Sequence, residues 1–181
     1  MQLSGLLSYI DKIATIGIRG DLAHAISPVN EKIKLTNKFG LACIVLLLFY
    51  LPLYQYLGVY FMVKIVSLGI VFYFICFALN ASRKFTAARH LFLLNSNFLI
   101  ISTDLCFGKS VIVEAYYLPL SLSAYLIFLH SEKKHIYSAN LVPLILYITS
   151  RMTQFNPLNS LNLLEVHTIE FLENCNCIGS F

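Results

Sequence analysis

The hydrophobic positions of this 181-residue chain lie in five long runs that short polar connectors separate. The runs cover residues 39–57, 59–79, 91–107, 111–129 and 136–152. A helix needs about 20 apolar residues to cross the hydrocarbon core of a bilayer, and each run approaches that length. The fifth run contains Pro143, which is compatible with a tilted or kinked span. The pattern predicts an all-α fold, a polytopic integral membrane helix bundle with five spans.

A different pattern occupies the first 18 residues. Apolar side chains recur there three and four positions apart, at Leu3, Leu6, Leu7, Ile10, Ile13, Ala14 and Gly17. This spacing predicts an amphipathic helix, which either lies in the membrane interface or packs on a partner helix. Further along, Ser27 and Pro28 are typical of a helix N-cap and first helical position, and a helix starting there could run into the membrane. We therefore divide the chain into a cytoplasmic amphipathic helix and lead-in (1–37) and a membrane helix bundle (38–181).

The composition agrees with a membrane protein. Of the residues, 58% are hydrophobic and 12% are charged, whereas about 25% charged is usual for a soluble domain. The first 30 residues contain no short apolar core followed by a small-residue cleavage site, so we expect the amino terminus to be retained. The lipid bilayer is thus the first predicted partner. The net charge of +4 is modest, and no nucleic-acid partner is predicted.

Basic residues are distributed unevenly between the connectors. If the spans alternate in direction, ten cations fall on one side: Lys12, Arg19, Lys32, Lys34, Lys38, Arg83, Lys84, Arg89, Lys133 and Lys134. The other side receives only Lys64, Lys109 and Arg151. Because short basic loops stay in the cytoplasm, this asymmetry predicts a cytoplasmic amino terminus. An odd number of spans then places residues 152–181 outside.

Ionisable side chains inside membrane spans are costly, which makes them candidate functional residues. Four such residues and two tyrosines gather in the outer third of the predicted membrane region: Lys64, Asp104, Lys109, Glu114, Tyr116 and Tyr117. Together they would form a polar ligand-binding pocket that faces the outside. The alternative is that each charged side chain reaches the interface or pairs locally, without a binding role.

Three further polar residues, Asn95, Ser96 and Asn97, lie in the third span. Hydrogen bonds to neighbouring helices are the usual role of such residues, and a conducting path is the alternative. Cys43, Cys76 and Cys106 are expected to pack as small apolar residues. The histidines form no recognisable ligand cluster, and Cys175 with Cys177 gives too few ligands for zinc. No catalytic residue, metal or cofactor is predicted.

Four stretches of the chain follow a pattern known from bacterial signalling proteins. They are EKIKLTNKFGLACIVLLLFYLPLYQYLG, ALNASRKFTAARHLFLLNSNFLI, DLCFGKSVIVEAYYLPLSLSAYLIF and FNPLNSLNLLEVHTIEFL. In order, they resemble the basic lead-in with the first span, the arginine-containing turn before span three, the outer turn with span four, and the connector before a sixth helix. The family is the N-terminal six-helix membrane domain of sensor histidine kinases and class III adenylate cyclases.

The resemblance implies a sensory or anchoring module in the bacterial inner membrane, without an enzymatic activity in these 181 residues. Its implied partners are a cytoplasmic kinase or cyclase output domain and a second copy of the chain in a dimer. Residues 169–181 would begin the sixth span, so the chain is expected to be truncated there. The alternative function is a small transporter or channel subunit, in which Lys64, Asn95, Asn97 and Asp104 would line a path.

Overall fold

A computed structural model describes residues 3–18, 27–107 and 113–152 of the chain. Within these ranges the protein forms six α-helices and one 3-10 turn, without a strand, and the predicted all-α fold is confirmed. The helices are α1 (Leu3–Ala14), α2 (Pro28–Tyr56), α3 (Tyr60–Ala81), α4 (Phe85–Phe107), α5 (Tyr117–Ile127) and α6 (Lys133–Met152). The 3-10 turn, Val113–Tyr116, leads directly into α5.

The first helix of the bundle starts where the sequence predicts. Ser27 has extended backbone angles (φ −119°, ψ 131°) and Pro28 is the first helical residue, although the serine makes no side-chain capping hydrogen bond. From there α2 continues for 29 residues, which is about 44 Å at 1.5 Å per residue. This length exceeds a hydrocarbon core of about 30 Å, so the polar first turns of α2 project beyond the apolar layer.

Three helices of the described ranges, α2, α3 and α4, are long and apolar enough to cross a membrane. Their outer faces carry large apolar side chains, including Phe49, Phe61 and Phe98, which are 63%, 64% and 41% exposed. Soluble proteins rarely expose apolar surface on this scale. The exposed face and the helix lengths together support a membrane protein.

The fourth and fifth predicted spans are less regular than the first three. The apolar helix α5 follows a 3-10 turn and has 11 residues. A full crossing needs about 20 residues, so α5 is too short for one. The helix α6 has 20 residues but begins with Lys133 and Lys134 and contains Pro143. By length and composition, three of the five predicted spans are therefore supported directly.

Two tight turns connect the three long helices. Gly58 (φ +71°) follows α2, and Arg83 (φ +60°) follows α3. In the second turn, the Arg83 and Lys84 amides donate to the carbonyls of Asn80 and Leu79, at 3.0 and 2.9 Å. This is a Schellman motif, which ends a helix with one residue in the left-handed region. The turns reverse the chain within four residues and make α2, α3 and α4 antiparallel neighbours.

The helix α4 lies at the centre of the bundle. Twelve of its 23 residues are buried, because it contacts α2, α3, α5 and α6 on different faces. It packs tightly on α3 at Gly69, where an added Cβ would lie 2.8 Å from the Leu99 side chain. The side-chain amide of Asn95 donates to the Gly69 carbonyl at 2.9 Å. Small residues and interhelical hydrogen bonds of this kind hold membrane helices together.

Most of the predicted cytoplasmic cations gather at one end of the bundle, which we call the basic end. The basic end contains Lys32, Lys34, Lys38, Arg83, Lys84, Arg89, Lys133 and Lys134. Contacts between distant segments define it: Asn80 bonds Asn37 at 2.6 Å, and Arg89 bonds Glu132 at 2.9 Å. The bundle therefore alternates in direction in the way that the charge pattern requires.

The amino-terminal helix packs on the basic end of the bundle. The buried side-chain amide of Asn37 in α2 donates to the carbonyls of Ala14 and Ile16, each at 3.1 Å. Gly17 (φ +89°) touches the Asn80 carbonyl so closely that an added Cβ would lie 2.1 Å from the oxygen. Of the two predicted alternatives for the amphipathic helix, packing on a partner helix is the one that this contact establishes.

Candidate functional site

The six residues of the predicted outer pocket have different positions in the structure. Asp104 is buried on α4 (6% exposed) and Tyr117 is buried at the start of α5 (4%). Lys64 is exposed on the opposite face of α3 from the buried Met62 and Val66. Tyr116 lies at the end of the 3-10 turn. Lys109 and the side chain of Glu114 lie outside the described part of the structure.

The described residues form a cavity of about 680 Å³ between α2 and α5. Ligand pockets commonly have volumes of about 300–1,000 Å³. The lining comes from α2, α3, α4, the 3-10 turn and α5, and comprises Phe39, Ala42, Cys43, Leu46, Leu47, Tyr50, Tyr54, Val66, Tyr73, Phe92, Ser96, Leu99, Ile100, Thr103, Tyr116, Pro119, Leu120, Leu122, Ser123 and Leu126. None of these described lining residues carries a charge, so this part of the cavity wall suits an uncharged apolar molecule.

The cavity opens sideways, toward the surrounding lipid. Leu46 of α2 and Leu122 of α5 line it, and their side chains are 37% and 56% exposed. Its inner wall is the packed surface of α3 and α4, where Val66, Tyr73 and Leu99 are buried. A molecule dissolved in the bilayer therefore has a route between α2 and α5 that does not pass through water.

Aromatic rings close the cavity at the end that lies away from the basic end. Tyr50, Tyr54 and Phe107 form a continuous stack, with ring centroids 5.7 Å apart in both pairs. Tyr50 and Tyr54 are one turn apart on α2, and Phe107 is the last residue of α4. Stacked pairs of this geometry add roughly 0.5–1.5 kcal/mol each to apolar burial. The stack fixes α2 against α4 beside the cavity.

A small set of hydroxyl groups provides the polar part of the cavity wall. The Tyr73 hydroxyl and Ser96 Oγ are 2.8 Å apart, and Ser96 Oγ donates to the Phe92 carbonyl at 2.9 Å. The Cys43 thiol is also hydrogen-bonded with Tyr73. Tyr73 and Ser96 lie near the middle of α3 and α4, so this polar group is deep in the membrane-spanning region.

A polar cluster lies at the basic end, on the same helices that line the cavity. Glu132 accepts hydrogen bonds from the Arg89 guanidinium and from the Leu129 amide, each at 2.9 Å. His90 Nε2 and His135 Nδ1 are 2.9 Å apart. The Phe128 ring packs against both imidazoles and lies 5.9 Å from the Arg89 guanidinium carbon. The cluster joins the second turn of α4 to the turn between α5 and α6 and to the first turn of α6.

The polar residues predicted in the third span have two kinds of partner. Asn95 and Ser96 bond to α3, through Gly69 and Tyr73, so the predicted role in helix association is confirmed for both. Asn97 instead donates to Leu93 in its own helix at 2.9 Å. Its position turns it toward a different face of α4 from Asn95.

Cysteines and histidines are placed partly as the sequence predicts. Cys76 and Cys106 are buried among apolar residues, in agreement with a packing role, and Cys43 lines the cavity. Cys175 and Cys177 lie outside the described residues. In the part of the chain that the structure describes, no group of three His, Cys, Asp or Glu side chains is arranged so that it could hold a metal ion. The pairing of His90 with His135 has no signature in the sequence, because 45 residues separate them.

The chain was compared with protein families, characterised proteins and solved structures. No family model matches the chain, and neither the characterised proteins nor the solved structures contain a significant match.

Proposed function

We propose that the chain is a membrane-embedded sensory or anchoring module of a bacterial signal-transduction protein. In this proposal it spans the inner membrane five times, with its amino terminus in the cytoplasm, and acts together with a cytoplasmic kinase or cyclase output domain. The motif resemblance, the basic end and the cavity support the proposal. The observation that carries it is the direct structural connection between the cavity and the polar cluster at the basic end.

That connection runs through two helices. In α4, Phe92 lines the cavity, and Arg89, one turn earlier, bonds Glu132. In α5, Leu126 lines the cavity while its carbonyl accepts a 2.6 Å hydrogen bond from Lys32 Nζ of α2. A molecule in the cavity that separates α2 from α5 would therefore strain contacts at the basic end. A sensory module needs contacts that differ between its ligand-free and its ligand-bound conformation.

The geometry is less favourable to a transporter or channel subunit. The four residues that would line a path, Lys64, Asn95, Asn97 and Asp104, do not converge. Lys64 is exposed on the outer face of α3. Asn95 is buried between α3 and α4, where its side-chain amide donates a hydrogen bond to the Gly69 carbonyl. Asn97 lies on another face of α4. None of the four is among the residues that line the cavity.

Two measurements on the full chain test the proposed function. Cross-linking in the native membrane followed by mass spectrometry is expected to recover peptides of a histidine kinase or adenylate cyclase domain. Proteoliposomes are expected to show no more ion or solute flux than protein-free vesicles. Flux that disappears in the D104N variant, without any cross-linked output domain, would contradict the proposal and favour the transporter.

A further inference from the structure

The direction of the hydrogen bonds in the cavity can be worked out from the number of available protons. A serine hydroxyl has one proton to donate. Ser96 donates its proton to the Phe92 carbonyl, at 2.9 Å. In the 2.8 Å contact between Tyr73 and Ser96, the tyrosine must therefore be the donor and Ser96 Oγ the acceptor. Both protons of this pair are used within the protein.

The same is true of the two other aliphatic hydroxyls in the cavity wall. Thr103 donates to the Leu99 carbonyl at 2.9 Å, and Ser123 donates to the Leu120 carbonyl at 2.7 Å. Each of these oxygens keeps lone pairs that accept hydrogen bonds. Among the lining hydroxyls whose bonds the structure defines, every proton is directed into the protein. The Ser96, Thr103 and Ser123 oxygens therefore present acceptors to the contents of the cavity.

We propose that the cavity binds an uncharged, largely hydrocarbon alcohol or phenol from the lipid phase, whose hydroxyl donates its one proton to the Ser96 or the Tyr73 oxygen. This inference deepens the proposed sensory function, since it names the chemical class of the signal. The apolar lining excludes charged molecules, and the lateral opening admits one dissolved in the bilayer. A ketone, an ether or a plain alkane has no proton to donate, so it gains no hydrogen bond from these oxygens.

The expected selectivity is modest but measurable. A hydrogen bond between neutral groups contributes about 0.5–1.5 kcal/mol net, which corresponds to roughly a two- to tenfold difference in affinity. The proper comparison is between an alcohol and its own methyl ether, because both have the same hydrocarbon body. Farnesol and farnesyl methyl ether form such a pair.

The test measures competition for photolabelling of the purified full chain in detergent. The probe is a long-chain alcohol with a diazirine group, and concentrations are expressed as mole fractions in the micelle. We expect labelled peptides from α2, α4 or α5, and farnesol to compete at about two- to tenfold lower mole fraction than its methyl ether. In A42F, whose new side chain occupies the cavity, this labelling should disappear. Equal competition by the two compounds, or undiminished labelling of A42F, would overturn the proposal.

Two serine variants separate the hydrogen bond from general apolar binding. In S96A the acceptor is gone and the Tyr73 proton becomes available, so the preference should be lost or should reverse toward the ether. Ser67 is the matched control, because it donates to Val63 in the same way, at 2.8 Å, but is exposed outside the cavity. S67A should keep the native preference. An unchanged preference in S96A would show that the cavity does not recognise the hydroxyl.

Failure of this inference is distinguishable from failure of the proposed function. The photolabelling measures the ligand class only. Sensing is tested through the recovered output domain and through the response of the basic end to a filled cavity, and neither measurement uses an alcohol.

Discussion

At the scale of single residues, buried polar side chains fix how the helices are aligned. In an apolar environment an unpaired amide is costly, so two asparagines that satisfy each other and the backbone favour one arrangement. Asn37 and Asn80 are 0% and 1% exposed and are joined by a 2.6 Å hydrogen bond. Through Asn37 the same pair holds the carbonyl end of α1. This network explains why α1 packs on the bundle at one register.

We predict that N37A releases the amino-terminal helix. The substitution removes the hydrogen bonds to Ala14 and Ile16 that hold α1, and at about 1 kcal/mol for each bond it should weaken docking by roughly 2 kcal/mol. Trypsin cleavage at the exposed Lys12 should then accelerate at least about tenfold, because cleavage follows the population of the open form.

The matched control for this prediction is N140A. Asn140 is a partly buried asparagine whose amide bonds only its own helix, at the Ile136 carbonyl. Its substitution should leave the cleavage rate at Lys12 unchanged. Equal cleavage of N37A and the native chain would show that the asparagine network does not hold α1.

The Arg89–Glu132 ion pair leads to a second prediction at this scale. Arg89 is 2% exposed and Glu132 is 22% exposed, so removing one charge leaves the other poorly solvated. We expect E132Q to lower the free energy of unfolding by about 3 kcal/mol, and R89M combined with E132Q to lose less than E132Q alone. Unfolding in detergent with increasing denaturant measures all variants. E31Q, at an exposed position, is the control, and additive losses in the double variant would contradict the prediction.

At the scale of elements, the turns and the central helix determine the bundle. Gly58 and Arg83 both adopt positive φ after a helix, but only glycine does so without a steric cost. Arg83 is therefore a strained position in an otherwise regular turn. The Arg83 side chain contributes a positive charge to the basic end. Glycine would adopt this backbone conformation more easily but would not supply the charge.

We predict that R83G is more stable than R83A. Both substitutions remove the charge, and only glycine relieves the left-handed conformation at φ +60°. The difference in the free energy of unfolding should be about 1 kcal/mol, corrected for any change in the unfolded state. Thermal unfolding of the two variants under identical detergent conditions measures it. Equal stabilities would show that the turn relaxes when the arginine is replaced.

The sequence predicts individual helices better than it predicts their relative rotation. The serine–proline pair at 27–28 correctly marks the start of α2, because capping is local chemistry. The cavity could not be predicted, because the lipid-facing side of a membrane helix is as apolar as its buried side. Phe49 and Tyr50 of α2 differ little in type, yet one is 63% exposed and the other 7%. The partners of Tyr73 and His90 depend on this rotation.

At the scale of the whole molecule, the distribution of cations predicts the membrane topology. The basic end gathers eight cations from α2, the α3–α4 turn, α4 and α6. Such an end is expected to face the cytoplasm. The helix α5, with 11 residues, is too short by itself for a full crossing.

We predict opposite locations for the two ends of α6. Alkaline phosphatase, which is active only outside the cytoplasm, should be inactive when fused after His130 and active when fused after Met152. Green fluorescent protein fused before Met1 should fluoresce. The reverse pattern of phosphatase activity would contradict the proposed orientation. Inactivity at both fusion points would contradict the existence of the fifth span.

The central claim is that the state of the cavity is transmitted to the basic end through α4 and α5. The native chain contains no tryptophan, so L129W introduces a single fluorophore beside the Arg89–Glu132 pair, where the Leu129 amide bonds Glu132. The decisive measurement compares its emission maximum in L129W, in L129W with A42F, and in L129W with A78F. Both alanines are exposed, but Ala42 is among the residues that line the cavity and Ala78 is not. The account predicts a shifted maximum with A42F and none with A78F, and identical emission in all three proteins would contradict it.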